Sequence, residues 1–304
     1  MKVTILGSSG ALPAYGRFPS SQYINIQQHH YLIDCGEGTQ MQLKKFSIPF
    51  HKIEAIFISH LHGDHYLGLM GLLFSMHLLK RTEELHLYGQ PGLDEIILLQ
   101  LKYSKSVLNF KIVFHTIVKG ESEILYENDS LTIQSIPLTH KIATSGFLFR
   151  EKPKPRKINK DTLPPDIKLQ HIALLKQSKD VFNEDGSLLY KNEEYTLNPS
   201  PSYSYAYCSD TAFDDNLVQY LNGVDLLYHE ATFMTEHSDK AKDTLHSTAF
   251  QAARIARKSG VKKLIIGHFS ARYKDLNPLL AEACSEFEQT QLAIEGETFD
   301  LGTV

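Results

Sequence analysis

Cysteine is scarce in this 304-residue chain: Cys35, Cys208 and Cys284 are far apart, odd in number and never arranged as CxxC. That pattern argues against a disulfide framework and a thiolate zinc site, and it fits a reducing compartment. Long apolar runs are missing as well, since none approaches the roughly 20 residues needed to cross a bilayer. The opening "MKVTILGSSG" turns polar too soon for a secretory signal, so the expected location is the cytoplasm, with no membrane partner. Neither sign of charge dominates, because 31 Lys and Arg stand against 35 Asp and Glu. A nucleic-acid partner would therefore need a local basic patch in place of a global field.

The chain is long enough to bury a sizeable core, and its apolar segments carry two different periods. "KVTILG", "SQYINI", "HHYLI", "IEAIFIS", "EELHLYG", "FKIVFHTI", "DSLTIQSIP", "SGFLFRE", "YSYAYC", "VDLLYHE" and "VKKLIIG" read as strands. Helical spacing appears in "GTQMQLKKFSI", "YLGLMGLLFSMHLLKR", "GLDEIILLQLKYS" and "STAFQAARIARKSG", the last expected to be capped by Ser247 and closed by Gly260. The tail predicts one more helix and one final strand. Alternation of this kind indicates a layered α/β fold. Residues 150–202 break the rhythm: they hold six of the twelve prolines and open with "REKPKPRKINK". A protruding arm and a plain solvated linker fit that composition equally well.

Fifteen histidines are present, and their placement carries more information than their number. "SHLHGDH" puts His60, His62, Asp64 and His65 on one turn between a strand and an apolar helix. Left without partners beside a core, each such group would cost about 1–3 kcal/mol; a bound dication satisfies them. Imidazole and carboxylate without thiolate is the donor set of a catalytic zinc site. The spacing lets His60 and His62 approach one ion while Asp64 and His65, beyond the Gly63 bend, reach a second. Three further strands end on His140, Asp210 and His268, and such strand ends in α/β sheets are expected to converge on one site. His77, His86, His115 and His229 show no ligand pattern and are read as structural.

"SHLHGDH" matches the HxHxDH signature of the metallo-β-lactamase superfamily, with His140, Asp210 and His268 following in that superfamily's order. Within it, "LGSSGALP", "IDCGEGTQMQL", "HEATF", "LHSTA" and "GHFSARY" resemble ribonuclease Z, the tRNA 3′ processing endoribonucleases, and the resemblance spans essentially the whole chain. It implies a four-layer αβ/βα sandwich formed by one domain, 1–304, with 150–202 as an inserted tRNA-binding arm. It implies two Zn2+ ions: His60, His62 and His140 on one, Asp64, His65 and His268 on the other, and Asp210 bridging them. A metal-held hydroxide would attack the phosphodiester after the discriminator nucleotide, Asp64 would take up its proton, and His246, oriented by Glu230, would act as general acid. The products would be a tRNA 3′-hydroxyl and a trailer with a 5′-phosphate.

By the same resemblance Lys152, Lys154, Arg156, Lys157 and Lys160 would hold the phosphates of precursor tRNA, Arg272 and Tyr273 would lie near its cut end, and the protein would be a homodimer. Without the resemblance, Glu230 reads as a loop cap and His246 as an ordinary residue before a helix. In the arm, "LQHIALLKQSKD" departs from the family's commoner pattern by lacking glycine. Two other functions remain to be weighed: a dinuclear hydrolase of a small phosphodiester or thioester, which needs no basic arm, and a catalytically dead RNA-binding protein, which should have lost ligands. All seven ligand positions are filled.

Overall fold

The computed structural model describes residues 1–302. Its first half builds β1 (Lys2–Gly7), β2 (Ser21–Ile26), β3 (His29–Ile33), α1 (Thr39–Lys45), β4 (Ala55–Phe57), α2 (Gly63–Tyr66), α3 (Leu69–Leu78), β5 (Leu85–Gly89), α4 (Leu93–Tyr103) and β6 (Ile112–Thr116). There follow β7 (Ile124–Glu127), β8 (Leu131–Pro137) and β9 (Ser145–Glu151). The segment after β9 forms β10 (Lys157–Ile158), α5 (Leu169–Lys176), β11 (Val181–Phe182), β12 (Leu188–Tyr190), α6 (Asn192–Tyr195) and β13 (Thr196–Leu197). The chain ends with β14 (Ser204–Cys208), α7 (Val218–Leu221), β15 (Leu226–Glu230), α8 (Ser238–Thr244), α9 (Ala249–Ser259), β16 (Lys263–Gly267), α10 (Asn277–Glu286), β17 (Thr290–Leu292) and β18 (Thr298–Asp300). The tail therefore holds two strands where the sequence suggests one, and they join different sheets.

Two seven-stranded sheets face each other, ordered β18-β1-β2-β3-β4-β5-β6 and β17-β16-β15-β14-β9-β8-β7. Their inner faces meet in a shared core that includes Ile5, Ile24, Tyr31 and Phe57 from one sheet and Phe147, Tyr205, Tyr207 and Tyr228 from the other. Aromatic pairs fill it, with Tyr207 stacked on Tyr228 at 4.9 Å and Phe57 on Tyr88 at 4.6 Å. The outer faces are covered too: α3 lays Leu69, Leu72 and Met76 over Leu32 and Ile56, and α9 lays Ala252, Ile255 and Ala256 over Leu227 and Leu264. Helix, sheet, sheet and helix make four layers. Strands buried on both faces have no polar side to alternate with, which is why "AIF" and "KLIIG" read as continuous apolar runs.

Strand direction brings the functional ends together. In the first sheet β3, β4, β5 and β6 are parallel, and in the second β14, β15, β16 and β17 are. β9 is antiparallel to both β8 and β14, so β8 runs the same way as β14. The residues following β4, β8, β14, β15 and β16 consequently gather at one end of the sandwich.

Residues 152–203 leave after β9 and return into its neighbour β14, tied at the base by Glu151 N–H donating to the Tyr203 carbonyl at 2.9 Å. They carry two small sheets, β10–β13 and β11–β12, outside the large ones. Leu175, Val181, Asn192 and Thr196 are buried there. The Asn192 amide donates to the Leu175 carbonyl at 2.5 Å, giving this segment a polar-pinned interior of its own.

The cap of α9 is Thr248 and not Ser247. Thr248 Oγ1 accepts from Gln251 N–H at 3.2 Å, and Gln251 Oε1 accepts from Thr248 N–H at 2.9 Å, a reciprocal box. Ser247 instead donates its hydroxyl to the Thr211 carbonyl at 2.8 Å, tying the loop before α9 to the loop after β14. Gly260 closes the helix at φ 60, as expected. Thr248→Ala should lower unfolding free energy by about 1 kcal/mol in a urea titration, whereas Ser247→Ala should leave the α9 cap intact.

Candidate metal centre

At the gathered strand ends an open cleft of about 490 Å³ is lined by His62, Asp64, His140, Asp210, His246 and His268 among others. His60 and His65 lie fully buried beneath it. The donor atoms fall into groups within 4.8 Å of one another: His60, His62, His140 and Asp210 in one; Asp64, His65 and His268 in a second; and, overlapping both, Asp210, His246 and His268 in a third. Asp210 joins them. Its Oδ2 lies 3.5 Å from His60 Nε2 and 3.7 Å from His140 Nε2, while its Oδ1 lies 3.2 Å from His65 Nε2 and 3.1 Å from His268 Nε2. One carboxylate thus turns one oxygen to each group. Two further ligand-type contacts stay within the second group, where Asp64 Oδ2 is 3.5 Å from His65 Nε2 and 3.3 Å from His268 Nε2.

The rings are held from behind. His65 Nδ1 donates to Asp34 Oδ2 at 2.7 Å, His140 Nδ1 to the Leu245 carbonyl at 3.0 Å, and His268 Nδ1 to Thr232 Oγ1 at 2.9 Å. Ser59 gives its own proton to Asp34 at 3.0 Å and accepts from His60 Nδ1 at 3.1 Å. These partners assign the tautomers, leaving a bare Nε2 on each of the four rings. The Nε2 atoms of His60 and His140 both face His62 Nδ1, at 3.0 Å and 3.3 Å. His65 Nε2, buried, makes no hydrogen bond at all. Ring nitrogens and carboxylate oxygens converging in this way fit a cation, and the donor set fits a dication held by nitrogen and oxygen.

Before any ion binds, the same crowding shifts the titrations apart. Burial pushes His60 down to about 4, with the charge on His65 adding to it. Burial also opposes charge on His65, but Asp210, Asp34 and Asp64 outweigh it and raise its pKa well above the usual range, so without an ion Nε2 takes up a proton that an incoming cation would displace. Asp210 is kept well below the ordinary carboxylate range despite its burial, because His268, His65 and His60 surround it.

Glu230 and His246 form a pair at the cleft wall, Oε1 to Nδ1 at 2.7 Å. Glu230 is fully buried and also accepts from Thr211 N–H at 2.9 Å and from the Thr232 hydroxyl at 2.6 Å. Burial disfavours charge on His246, and the Glu230 carboxylate overcomes it, raising the imidazole to about 9. The ring packs between His140, at 5.0 Å, and His268, at 5.5 Å.

Backbone strain concentrates here. Asp34 (φ 54), Asp210 (φ 44), His268 (φ 58) and Leu245 (φ 56) all occupy the left-handed region that L residues avoid. Gly10 allows the β1–β2 loop to lie against the His268 ring, since a Cβ there would come within 2.8 Å of Cε1. That approach lets Ala11 N–H donate to Asp64 Oδ2 at 2.7 Å.

Of the remaining residues singled out by sequence, Arg272 is exposed and lies over the Phe233 ring at 5.1 Å, and Tyr273 accepts Met234 N–H at 3.0 Å. His229 is buried and donates from Nδ1 to the Glu230 carbonyl at 2.8 Å, and His86 meets His115 at 2.9 Å. His77 accepts Asn109 N–H at 3.1 Å. In the arm Lys152 pairs with Glu127 at 2.7 Å, Lys154 with Glu151 at 2.7 Å, and Arg156 donates to Thr196 at 2.6 Å. Lys157 and Lys160 are exposed. Sequence reasoning missed Asp34, Ser59 and Thr232. Asp34 carried a usable signal, a carboxylate one residue past a strand inside "IDCGEG"; Thr232 and Ser59 carried none beyond their neighbours.

Comparison with known proteins gives the site a lineage. Residues 1–181 match the family model for the anti-Pycsar protein Apyc1, a membership that covers the HxHxDH turn and His140 but stops before Asp210, Glu230, His246 and His268. Ribonuclease Z of Cytophaga hutchinsonii is 48% identical over 295 residues, covering 97% of this chain and 94% of that protein. The chain belongs to the ribonuclease Z family. A second ribonuclease Z, from Bacteroides fragilis, is 44% identical over 292 residues, covering 96% of each chain. The crystal structure of human tRNase Z, short form, superposes with a TM-score of 0.74 at 26% identity, covering 99% of both chains. As a ribonuclease Z, the protein is a hydrolase that cuts RNA internally.

The His246 shift has a thermodynamic consequence. A ring whose folded pKa is about 9 against 6.5 when free contributes stability that is complete below pH 6.5 and is lost as pH rises through about 9. In metal-free protein, denaturant melts should show wild type losing stability over that window relative to Glu230→Gln. Parallel profiles for the two proteins would show that the pair does not hold the proton.

Proposed function

We propose that this protein is a zinc-dependent endoribonuclease that removes the 3′ trailer from precursor tRNA, cutting after the discriminator nucleotide to leave a tRNA 3′-hydroxyl and a 5′-phosphate on the trailer. The observation that carries the reading is Asp210, whose two oxygens face two separate groups of bare histidine nitrogens beside the Glu230–His246 pair. His60, His62 and His140 would hold one ion and Asp64, His65 and His268 the other, with Asp210 facing both groups. Two such ions supply charge stabilisation for in-line displacement at phosphorus, at the attacking and the leaving oxygen alike.

The chain's own groups do the rest. Asp64, at the cleft surface with its Oδ2 fixed by Ala11 N–H, takes the proton of the attacking water. His246, protonated at neutral pH and oriented by Glu230, delivers a proton to the leaving 3′ oxygen. Thr232, hydrogen-bonded to Glu230, keeps that carboxylate aimed.

The arm supplies sequence-independent grip on the tRNA backbone. With Lys152, Lys154 and Arg156 held by intramolecular partners, Lys157 and Lys160 are its readiest phosphate contacts. The same reading takes the protein as a cytoplasmic homodimer. Its three free cysteines support the compartment, and exposed Leu78, Leu98, Leu99 and Tyr103 on α3 and α4 offer the partner an apolar face.

Zinc-loaded protein incubated with a precursor tRNA should release the trailer; hydrolysis of bis(p-nitrophenyl) phosphate with the RNA left intact would overturn the substrate assignment. His246→Ala should lower kcat on that RNA by roughly 10²–10⁴-fold with zinc content unchanged. Replacing residues 155–199 by a short Gly-Ser linker should weaken precursor cleavage far more than hydrolysis of the small phosphodiester. Equal losses on both substrates would mean the arm only supports the fold.

A further inference from the structure

The ligands come from two sheets that touch mainly through non-directional apolar packing. His60, His62, Asp64 and His65 follow β4 of the first sheet; His140, Asp210 and His268 follow β8, β14 and β16 of the second. Apolar contacts tolerate slippage of a few tenths of an ångström, whereas metal–ligand distances do not. Some directional link is therefore needed near the ions.

Tyr207 supplies one. It lies on β14, three residues before Asp210, and is fully buried between the sheets. Its hydroxyl donates to Asp34 Oδ2 at 2.6 Å and lies 2.8 Å from Ser20 Oγ. Asp34 Oδ2 also receives His65 Nδ1 at 2.7 Å, and His65 Nε2 stands 3.2 Å from Asp210 Oδ1. The contacts close a ring running from Tyr207 through Asp34 and His65 to Asp210 and back along β14. The Tyr207 ring stays packed against Tyr228 and Phe147 whether or not the hydroxyl is present, so the hydroxyl is separable from the fold.

We propose that the Tyr207 hydroxyl is a positioning group that crosses between the sheets to fix His65, through Asp34, against the bridging carboxylate Asp210, and thereby sets the affinity and geometry of the ion held by Asp64, His65 and His268. The proposal rests on the two-ion reading, and its test separates the two. Burial and the neighbouring Asp34 carboxylate keep this hydroxyl protonated well above the usual tyrosine range, so it acts as a standing donor.

The test is titration of metal-free protein with Co2+, followed by its visible absorption bands. Wild type binding one ion would overturn the two-ion reading and, with it, this proposal; two ions bound would leave the Tyr207 question to the variants. Tyr207→Phe should bind its second ion about 10-fold more weakly, with altered bands for that ion and the first unchanged. Tyr205→Phe is the control: its hydroxyl also crosses between the sheets, to Gln22, but touches no member of the ring. Wild-type binding in Tyr207→Phe, or equal losses in Tyr205→Phe, would overturn the proposal. The link through Asp34 is tested by adding Tyr207→Phe to Asp34→Asn. It should then cause little further loss, and additive losses would place the hydroxyl's effect elsewhere. Should Tyr207→Phe fail to fold, Ser20→Ala, which removes the other partner of that hydroxyl, should shift the same bands; unshifted bands there would count against the proposal.

Discussion

The structure turns on the charge and lone-pair balance at Asp210. A carboxylate 2% exposed would be a heavy burden in a protein interior if it stood alone. Here four imidazole Nε2 atoms lie within 3.7 Å of its two oxygens, and those nitrogens are themselves mutually repulsive as bare acceptors. The carboxylate and the rings offset one another, and cations between them would complete the balance. The surrounding strained turns at Asp34, Asp210, Leu245 and His268 are consequences of that balance, since each aims a donor or a carbonyl that regular strand geometry would point elsewhere.

The balance also divides labour among the acids. Asp34 and Asp210 are both buried, yet Asp34 is saturated by Ser59, Tyr207 and His65, whereas Asp210 is surrounded mainly by ring nitrogens. One holds a ring from behind, and the other faces the ring nitrogens of both groups. Glu230 resembles Asp34 in burial but holds a ring that opens on the cleft, so its charge is expressed as a proton stored on His246 instead of as ring orientation alone. Three buried carboxylates thus perform three tasks because of what each faces.

Much of this was legible in the sequence. Short apolar runs, some alternating and some continuous, located most strands of the two large sheets, and "SHLHGDH" pointed to ion binding because three histidines and an aspartate crowd one turn beside a core. The strand ends carrying His140, Asp210 and His268 do lie together in the structure. The α9 cap was misplaced by one residue because Ser and Thr are equally good caps by type; only the reciprocal bond to Gln251 singles out Thr248. The five cations named in the arm were read as uniformly available, but Lys152, Lys154 and Arg156 engage Glu127, Glu151 and Thr196, and folding brings Glu127 and Thr196 to them from distant positions.

By itself, then, the sequence determined which residues are of metal-binding type, where most strands of the two large sheets lie, and which family the chain resembles, because local periodicity and short motifs are properties of neighbours along the chain. Only the tertiary structure decided that Asp210 turns one oxygen to each ion group, that Asp34 and Thr232 stand behind His65 and His268, and that Tyr207 reaches across from the other sheet. Those contacts join residues between 31 and 173 positions apart, and no spacing rule spans such distances; the pairing of two sheets does.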